Sequence, residues 1–191
     1  HQNMDAVAMF RPVTKWTSTI REPENINEVV HKAFKLAAAE KPGATVIELP
    51  EDIAKKDTDD EPIRARTDDT RAGAEPRHVE AALGLIEKAT APVILTGWGV
   101  IRTGAANALA ELIGRTHIYA AQTFMGKGAL SARDEHCLYC VGLGSRDIVL
   151  EAFEQADLVL CIGYDMVEWH PERWNIGADK HIVHIDPQPA E

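Results

Sequence analysis

The sequence is poor in cysteine and basic charge, and it has no long apolar run. Three cysteines and no secretory signal pattern disfavour a disulfide-stapled secreted domain, so we expect a cytoplasmic protein. A net charge of −10 disfavours a nucleic-acid partner, because phosphate binding needs a basic face. No apolar stretch approaches the roughly 20 residues of a membrane-spanning helix, so we expect no membrane contact.

Two of the cysteines form a C-x-x-C pair, Cys137 and Cys140, within HCLYC. This pattern is typical of a redox pair or of half a zinc site. The sequence offers no second ligand pair with zinc spacing, so a metal site is not predicted. We interpret both as small apolar residues at the start of a strand, and Cys161, within LVLCIG, as a core residue.

The chain changes its pattern near residue 76. Before it, the spacing of Val29, Ala33 and Leu36 predicts an amphipathic helix over 25–40, with Asn25 as its N-cap. An apolar strand over 44–50 follows. Residues 57–76 are rich in charge and poor in apolar side chains, which is typical of a solvated linker.

From residue 77 onward, apolar runs alternate with helical patterns. We expect strands at 92–96, 117–121, 139–143, 157–163 and 181–186, and helices at 77–90, 104–115 and 145–156. Each parallel strand pair needs a crossover connection, so the alternation predicts an α/β fold, a Rossmann-like doubly wound parallel sheet.

Glycine-bearing turns follow the first four of these strands: TGWGV, TFMGKGA, GLGS and GYD. Ligands of open α/β sheets bind outside the carboxyl ends of the strands, where glycine lets the backbone approach a phosphate or a flat ring. The stretch GWGVIRTG, however, has Arg102 where a dinucleotide fingerprint needs its third glycine. Asp186 ends the last strand too late for the usual ribose-binding acid, so this is no ordinary dehydrogenase fold.

The stretch MGKGALS, residues 125–131, contains Gly-Lys-Gly but is not a P-loop. Gly128 stands where that motif needs serine or threonine, and Ala121 where it needs its first glycine. The remaining functional interpretation of Lys127 is that its loop passes close to a ligand but does not bind a nucleoside triphosphate.

The order of several motifs is similar to the acetolactate synthase branch of the thiamine diphosphate-dependent enzymes. They are FRPVTKW (10–16), KPGATVIELPEDI (41–53), APVILTGWGVIRTGA (91–105), MGKGALS, ADLVLCIGYD (156–165) and HIVHID (181–186). The resemblance implies that residues 1–56 are the tail of a pyrimidine-binding domain. Residues 77–191 would be a central domain that lacks the last of six strands, so we expect an excised piece of a longer protein.

In this family, thiamine diphosphate and Mg²⁺ carry the decarboxylation of pyruvate and its ligation to a second pyruvate. The resemblance implies that the cofactor ligands lie in N- and C-terminal domains outside this chain, so the piece alone would be inactive. It further implies a homotetrameric parent, in which His1 and Gln2 reach the active site: Gln2 would donate a hydrogen bond to the ketoacid, and His1 would transfer a proton or shape the pocket.

Biosynthetic members of the family hold FAD against the central-domain loops. The resemblance assigns cofactor-lining positions to Gly97, Trp98, Gly99, Val100, Gly126, Lys127, Gly128, Gly142, Gly144, Ser145, Gly163, Tyr164, Asp165 and Asp186. The segment GYDMVEWHPERWN (163–175) and the opening His-Gln instead resemble the catabolic, FAD-independent members, so we predict no tight FAD binding. Another 2-ketoacid decarboxylase or carboligase, and a FAD- or nucleotide-binding module, remain alternatives.

The loop after the fourth strand also carries charged and aromatic side chains. Asp165 and Glu168 form a possible carboxylate pair, but the nearness of Arg173 favours a structural ion pair. We interpret Trp98, Trp169 and Trp174 as packing residues that cap the loops.

Overall fold

The computed structural model describes residues 4–64, 73–142, 144 and 147–190. Spatial contacts divide the chain into two compact units, His1–Thr70 and Arg71–Glu191. None of the described helices is long and apolar enough to cross a membrane.

The first unit contains a two-stranded parallel sheet, formed by β1 (Trp16–Thr19) and β2 (Thr45–Glu48). Helix α2 (Ile26–Ala38) makes the crossover that a parallel pair requires and buries Ala33. Two short helices complete the unit, α1 (Ala6–Phe10) and α3 (Glu51–Ala54).

In this unit one strand was not predicted and one predicted cap is wrong. No strand was predicted at β1, because TST offers neither apolar alternation nor a long apolar run. Asn25 does precede α2, but its backbone is helical and its side chain makes no capping hydrogen bond. The 3₁₀ turn Pro23–Asn25 leads into the helix instead.

The second unit is built on a five-stranded parallel sheet, as predicted. Its strands are β3 (Pro92–Thr96), β4 (Tyr119–Thr123), β5 (Cys137–Val141), β6 (Leu158–Ile162) and β7 (His181–Ile185). Their spatial order is β5-β4-β3-β6-β7, so β4, β3 and β6 lie inside the sheet. The helices are α4 (Pro76–Lys88), α5 (Trp98–Arg102), α6 (Ala106–Thr116) and α7 (Leu150–Gln155).

Some boundaries differ from the sequence prediction for local reasons. The strand expected at 117–121 begins at Tyr119, because His117 adopts a left-handed conformation (φ 56°) that ends α6. The glycine turn after β3 contains the unpredicted helix α5. Gly104, with φ 71°, separates α5 from α6.

Apolar side chains cover both faces of this sheet, as a parallel sheet requires. On one face, Ile94 and Leu160 pack with Leu109 and Ile113 of α6. On the other face, Phe153 of α7 packs with strand residues and with the indoles of Trp169 and Trp174. Both tryptophans and Cys161 are buried, which confirms their interpretation as packing residues.

Asp157 joins the amino ends of the neighbouring strands β3 and β6. Its carboxylate accepts hydrogen bonds from the N–H and the hydroxyl of Thr90, each at 2.7 Å, and from the N–H of Ala91 at 3.0 Å. The bonds from Thr90, supported by the one from Ala91, lower the pKa of this carboxyl group to about 2.

The depressed pKa of Asp157 predicts a specific dependence of stability on acid. The ionised form stabilises the fold fully above the unfolded pKa of about 3.9, and this contribution disappears as the pH falls to about 2. We expect Asp157→Asn to be less stable than wild type at pH 7, with the difference shrinking between pH 4 and pH 2. Urea unfolding at each pH measures this, and a difference that stays constant over that range would contradict it.

Candidate functional site

The strand order places a topological switch point between β3 and β6. From β3 the chain adds β4 and β5 on one side, then crosses to add β6 and β7 on the other. In open α/β sheets the ligand crevice lies outside the carboxyl ends of the strands at this point. The loops that begin at Gly97 and Gly163 flank it.

These two loops touch each other through their backbones. The N–H of Gly99 donates to the carbonyl oxygen of Gly163 at 2.8 Å. A Cβ atom on Gly99 would lie 2.6 Å from the Cα of Gly163, and one on Gly163 would lie 2.4 Å from the nitrogen of Val100. Gly163 also has φ 58°, which disfavours any side chain. The glycines therefore serve close loop-to-loop packing at the switch point.

Glu168 fills the space beside this contact. Its side chain is 5% exposed, and its two carboxylate oxygens accept hydrogen bonds from the N–H of Trp98 at 3.2 and 3.1 Å. The hydroxyl of Thr123 donates to the same carboxylate and accepts the N–H of Gly126 at 2.9 Å. One carboxylate thereby connects the loops that follow β3, β4 and β6.

The surroundings of Glu168 shift its pKa upward. Burial raises the pKa, because the charged form loses hydration, while the hydrogen bonds from Thr123 and Trp98 partly lower it. The sequence predicted an ion pair with Arg173. The hydrogen-bond donors to the Glu168 carboxylate are instead the hydroxyl of Thr123 and the N–H of Trp98.

Side chains at the end of β4 bind the backbone of the Gly-Lys-Gly loop. The side-chain oxygen of Gln122 accepts the N–H groups of Gly128 and Leu130 at 2.9 and 3.1 Å. Lys127 is exposed, while Gly126 is buried and donates to Thr123. These three N–H groups of the loop are thus bound to the side chains of β4, so they are not presented to a phosphate.

An open cavity of about 520 Å³ lies outside the carboxyl ends of β5 and β6. Two glycines of the loop after β5 and part of the loop after β6 line it, among them Gly142, Gly144, Glu168, Trp169, His170 and Arg173. Its lining thus combines a carboxylate, an indole and a guanidinium.

The predicted cofactor-lining residues fall into several groups. The Gly97–Val100 and Gly163–Asp165 loops meet at the switch point, and Gly142 and Gly144 line the cavity. Asp186 follows the edge strand β7 and accepts the N–H of Gln188 at 2.9 Å. His1, Gln2 and Ser145 lie outside the described residues.

Two of the predicted side chains make contacts within the unit. Trp98 is partly exposed, with the guanidinium carbon of Arg102 4.8 Å from its ring centroid. The buried hydroxyl of Tyr164 donates to the carbonyl of Trp169, and burial raises the pKa of this phenol. Tyr164 therefore belongs to the aromatic core.

Sequence reasoning missed Gln122 and Thr123, which hold the Gly-Lys-Gly loop. Both are buried polar residues at the end of β4, within YAAQT. Adjacent polar residues that end a strand at the ligand edge are the signal that could have identified them, since buried polar groups need hydrogen-bond partners.

Comparisons with known proteins place this chain in a family. Residues 79–191 match the family model "Thiamine pyrophosphate enzyme, central domain". The chain is 34% identical to "Acetolactate synthase" of Bacillus subtilis over 97% of its own length and 33% of the relative. It is 33% identical to "Acetolactate synthase, catabolic" of Raoultella terrigena over 100% of its length and 34% of the relative. The chain is 32% identical to a "Probable acetolactate synthase large subunit" of Methanocaldococcus jannaschii over 100% of its length and 33% of the relative.

The chain therefore spans about a third of the length of these curated relatives. The match to the family model covers more than half of the chain and includes all five strands of the second sheet. By this match the chain belongs to the thiamine pyrophosphate enzyme family, through that family's central domain.

Proposed function

We propose that this chain is part of a longer thiamine diphosphate-dependent acetolactate synthase that works without FAD. The parent would decarboxylate one pyruvate and join the resulting two-carbon unit to a second pyruvate. All three relatives described above are named acetolactate synthases, and one is named catabolic. These names favour the carboligase over an unrelated nucleotide-binding module.

The contacts of Glu168 are the observation that carries the FAD-independent assignment. A dinucleotide at a switch point places its pyrophosphate against backbone N–H groups at a helix start. Here the N–H of Trp98, at the start of α5, is bound by the Glu168 carboxylate. A second anion at this position would meet like charge, so the residues present do not fit FAD.

The remaining roles in the parent extend this proposal. Thiamine diphosphate supplies the carbanion chemistry, and Mg²⁺ would anchor its diphosphate. Gln2 would donate a hydrogen bond to the ketoacid, and His1 would transfer a proton or shape the pocket. Other segments of the parent would hold both cofactor groups. The parent would assemble into a homotetramer in the cytoplasm. This chain's loops at 97–100 and 163–165 would act as a scaffold.

An activity assay of the longer protein tests this proposal. Purified with thiamine diphosphate and Mg²⁺, it should release carbon dioxide from pyruvate and form acetolactate at the same rate with and without added FAD. A rise of tenfold or more on adding FAD would contradict the FAD-independent assignment. Absence of turnover with pyruvate, alongside turnover of another 2-ketoacid, would replace the acetolactate synthase assignment with a different carboligase or decarboxylase.

A further inference from the structure

The edge strand β5 carries a bulge between its two cysteines. Ala120 of β4 pairs with Cys137 and Gln122 pairs with Cys140, so three steps along β5 match two along β4. Tyr139, between them, has φ 64°. In a regular strand, residues three apart point to opposite faces, whereas one extra residue brings them to the same face.

The side chain of Gln122 indicates which face the two thiols share. Gln122 Oε1 accepts the N–H groups of Gly128 and Leu130, so the Nε2 end of the amide is turned the other way. The Nε2 amide N–H donates to the sulfur of Cys137 at 3.5 Å. Gln122 is the register partner of Cys140, so Cys140 projects toward the same side as Gln122 and Cys137.

The two thiols differ in solvent exposure, and the cationic side chain of Lys127 lies near one of them. Cys137 is 8% exposed, and Cys140 is half-buried. The Lys127 ammonium and the Cys137 thiol both lie close enough to Cys140 to act on it electrostatically.

The distance between the two cysteines suits a pair bridged by a metal ion better than a disulfide. Cys137 and Cys140 pair with residues two places apart on β4, and two steps along a strand span about 6.6 Å. A disulfide needs Cβ atoms about 3.5–4.5 Å apart and a sulfur–sulfur bond of about 2 Å, so it would require a backbone shift. A cation bound between two sulfurs spans a longer gap. Soft thiolate ligands select cations such as Cu(I).

We propose that Cys137 and Cys140 together bind one soft monovalent cation of the Cu(I) class, beside the Lys127 ammonium. Each thiol releases one proton to solvent, and two thiolates with one Cu(I) leave a net charge of −1, which Lys127 offsets. No electron is transferred. Zinc is not the expected metal, because a structural zinc takes four ligands and no group of three or more His, Cys, Asp or Glu among the described residues is placed to hold a metal.

Copper competition on the reduced full chain tests this site. With Cu(I) supplied under anaerobic conditions in the presence of bathocuproine disulfonate, we expect one Cu(I) per chain. Cys140→Ala should weaken binding by about 100-fold or more, since a lost ligand costs more than a lost outer-shell partner. Cys161→Ala is the matched control, because Cys161 lies in the core of β6, where burial raises its pKa to about 12. It should bind Cu(I) like wild type.

A second measurement does not depend on the variants. One tryptic peptide, residues 134–146, contains both thiols. Stoichiometric Cu(I) should protect this peptide from iodoacetamide in the wild-type chain and leave the alkylation of the third thiol, Cys161, unchanged. Equal affinity of Cys140→Ala and wild type would mark the copper as adventitious, and unprotected alkylation of the peptide would overturn the site independently.

Discussion

Replacement of Gly99 by alanine is expected to destabilise the second unit by about 3 kcal/mol, at the upper end of overpacking costs. The new Cβ would lie 2.6 Å from the Cα of Gly163 and 2.7 Å from its carbonyl oxygen. Both are backbone atoms, so no side chain can rotate away. The hydrogen bond from Gly99 N–H to Gly163, 2.8 Å long, would have to break or lengthen.

Gly84 provides a matched control for this substitution. It also lies in a helix, α4, but a Cβ there would meet no atom within 4 Å beyond the adjacent backbone of its own helix. Gly84→Ala should therefore stabilise the unit by about 0.5–1 kcal/mol, because alanine loses less backbone entropy in a helix. Urea unfolding of both variants measures the contrast, and equal midpoints would show that the backbone contact at the switch point is absent.

Truncation of Phe153 to alanine is expected to cost about 3–5 kcal/mol of unfolding free energy. This side chain is 0% exposed and packs edge-on against Trp169, with ring centroids 5.3 Å apart, and against Trp174 at 6.0 Å. Its loss leaves a cavity between α7 and the sheet and removes two aromatic contacts. The indole fluorescence of the two tryptophans should change in the folded state.

Phe124 serves as the comparison, since it belongs to the same unit and is 43% exposed. Phe124→Ala should cost about 1 kcal/mol, because partial burial contributes less transfer free energy. Denaturant unfolding followed by tryptophan fluorescence separates the two variants. If Phe153→Ala lost no more stability than Phe124→Ala, the placement of Phe153 in the core would be wrong.

Much of the second unit was predictable because its strands are apolar runs separated by helical periodicity. The strand at 92–96 matches its prediction residue for residue, since it is bounded by a proline and a glycine. The strand predicted at 117–121 was displaced because a left-handed His117 cannot be read from apolar spacing. In the first unit, the polar strand β1 is specified by its pairing with β2, which no local pattern encodes.

The sequence indicated where the glycine loops lie, but not the contacts that they make. The glycine turns follow strands in the sequence, and in the structure these loops lie at the carboxyl edge of the sheet. That Glu168 would bind the Trp98 N–H depends on residues 70 positions apart, and sequence alone offered Arg173 as a nearer partner. The bulge at Tyr139, which decides how Cys137 and Cys140 face, likewise depends on the register with β4.

The neighbouring strands β3 and β6 are attached to each other at both ends. Asp157 holds their amino ends, and the interlocked glycines hold their carboxyl ends. Sliding of β6 along β3 would have to disrupt both attachments at once. We therefore expect strands β5, β4 and β3 to move as one body with β6 and β7. A displacement applied to one edge strand would then be transmitted across the sheet to the other instead of being absorbed at its middle.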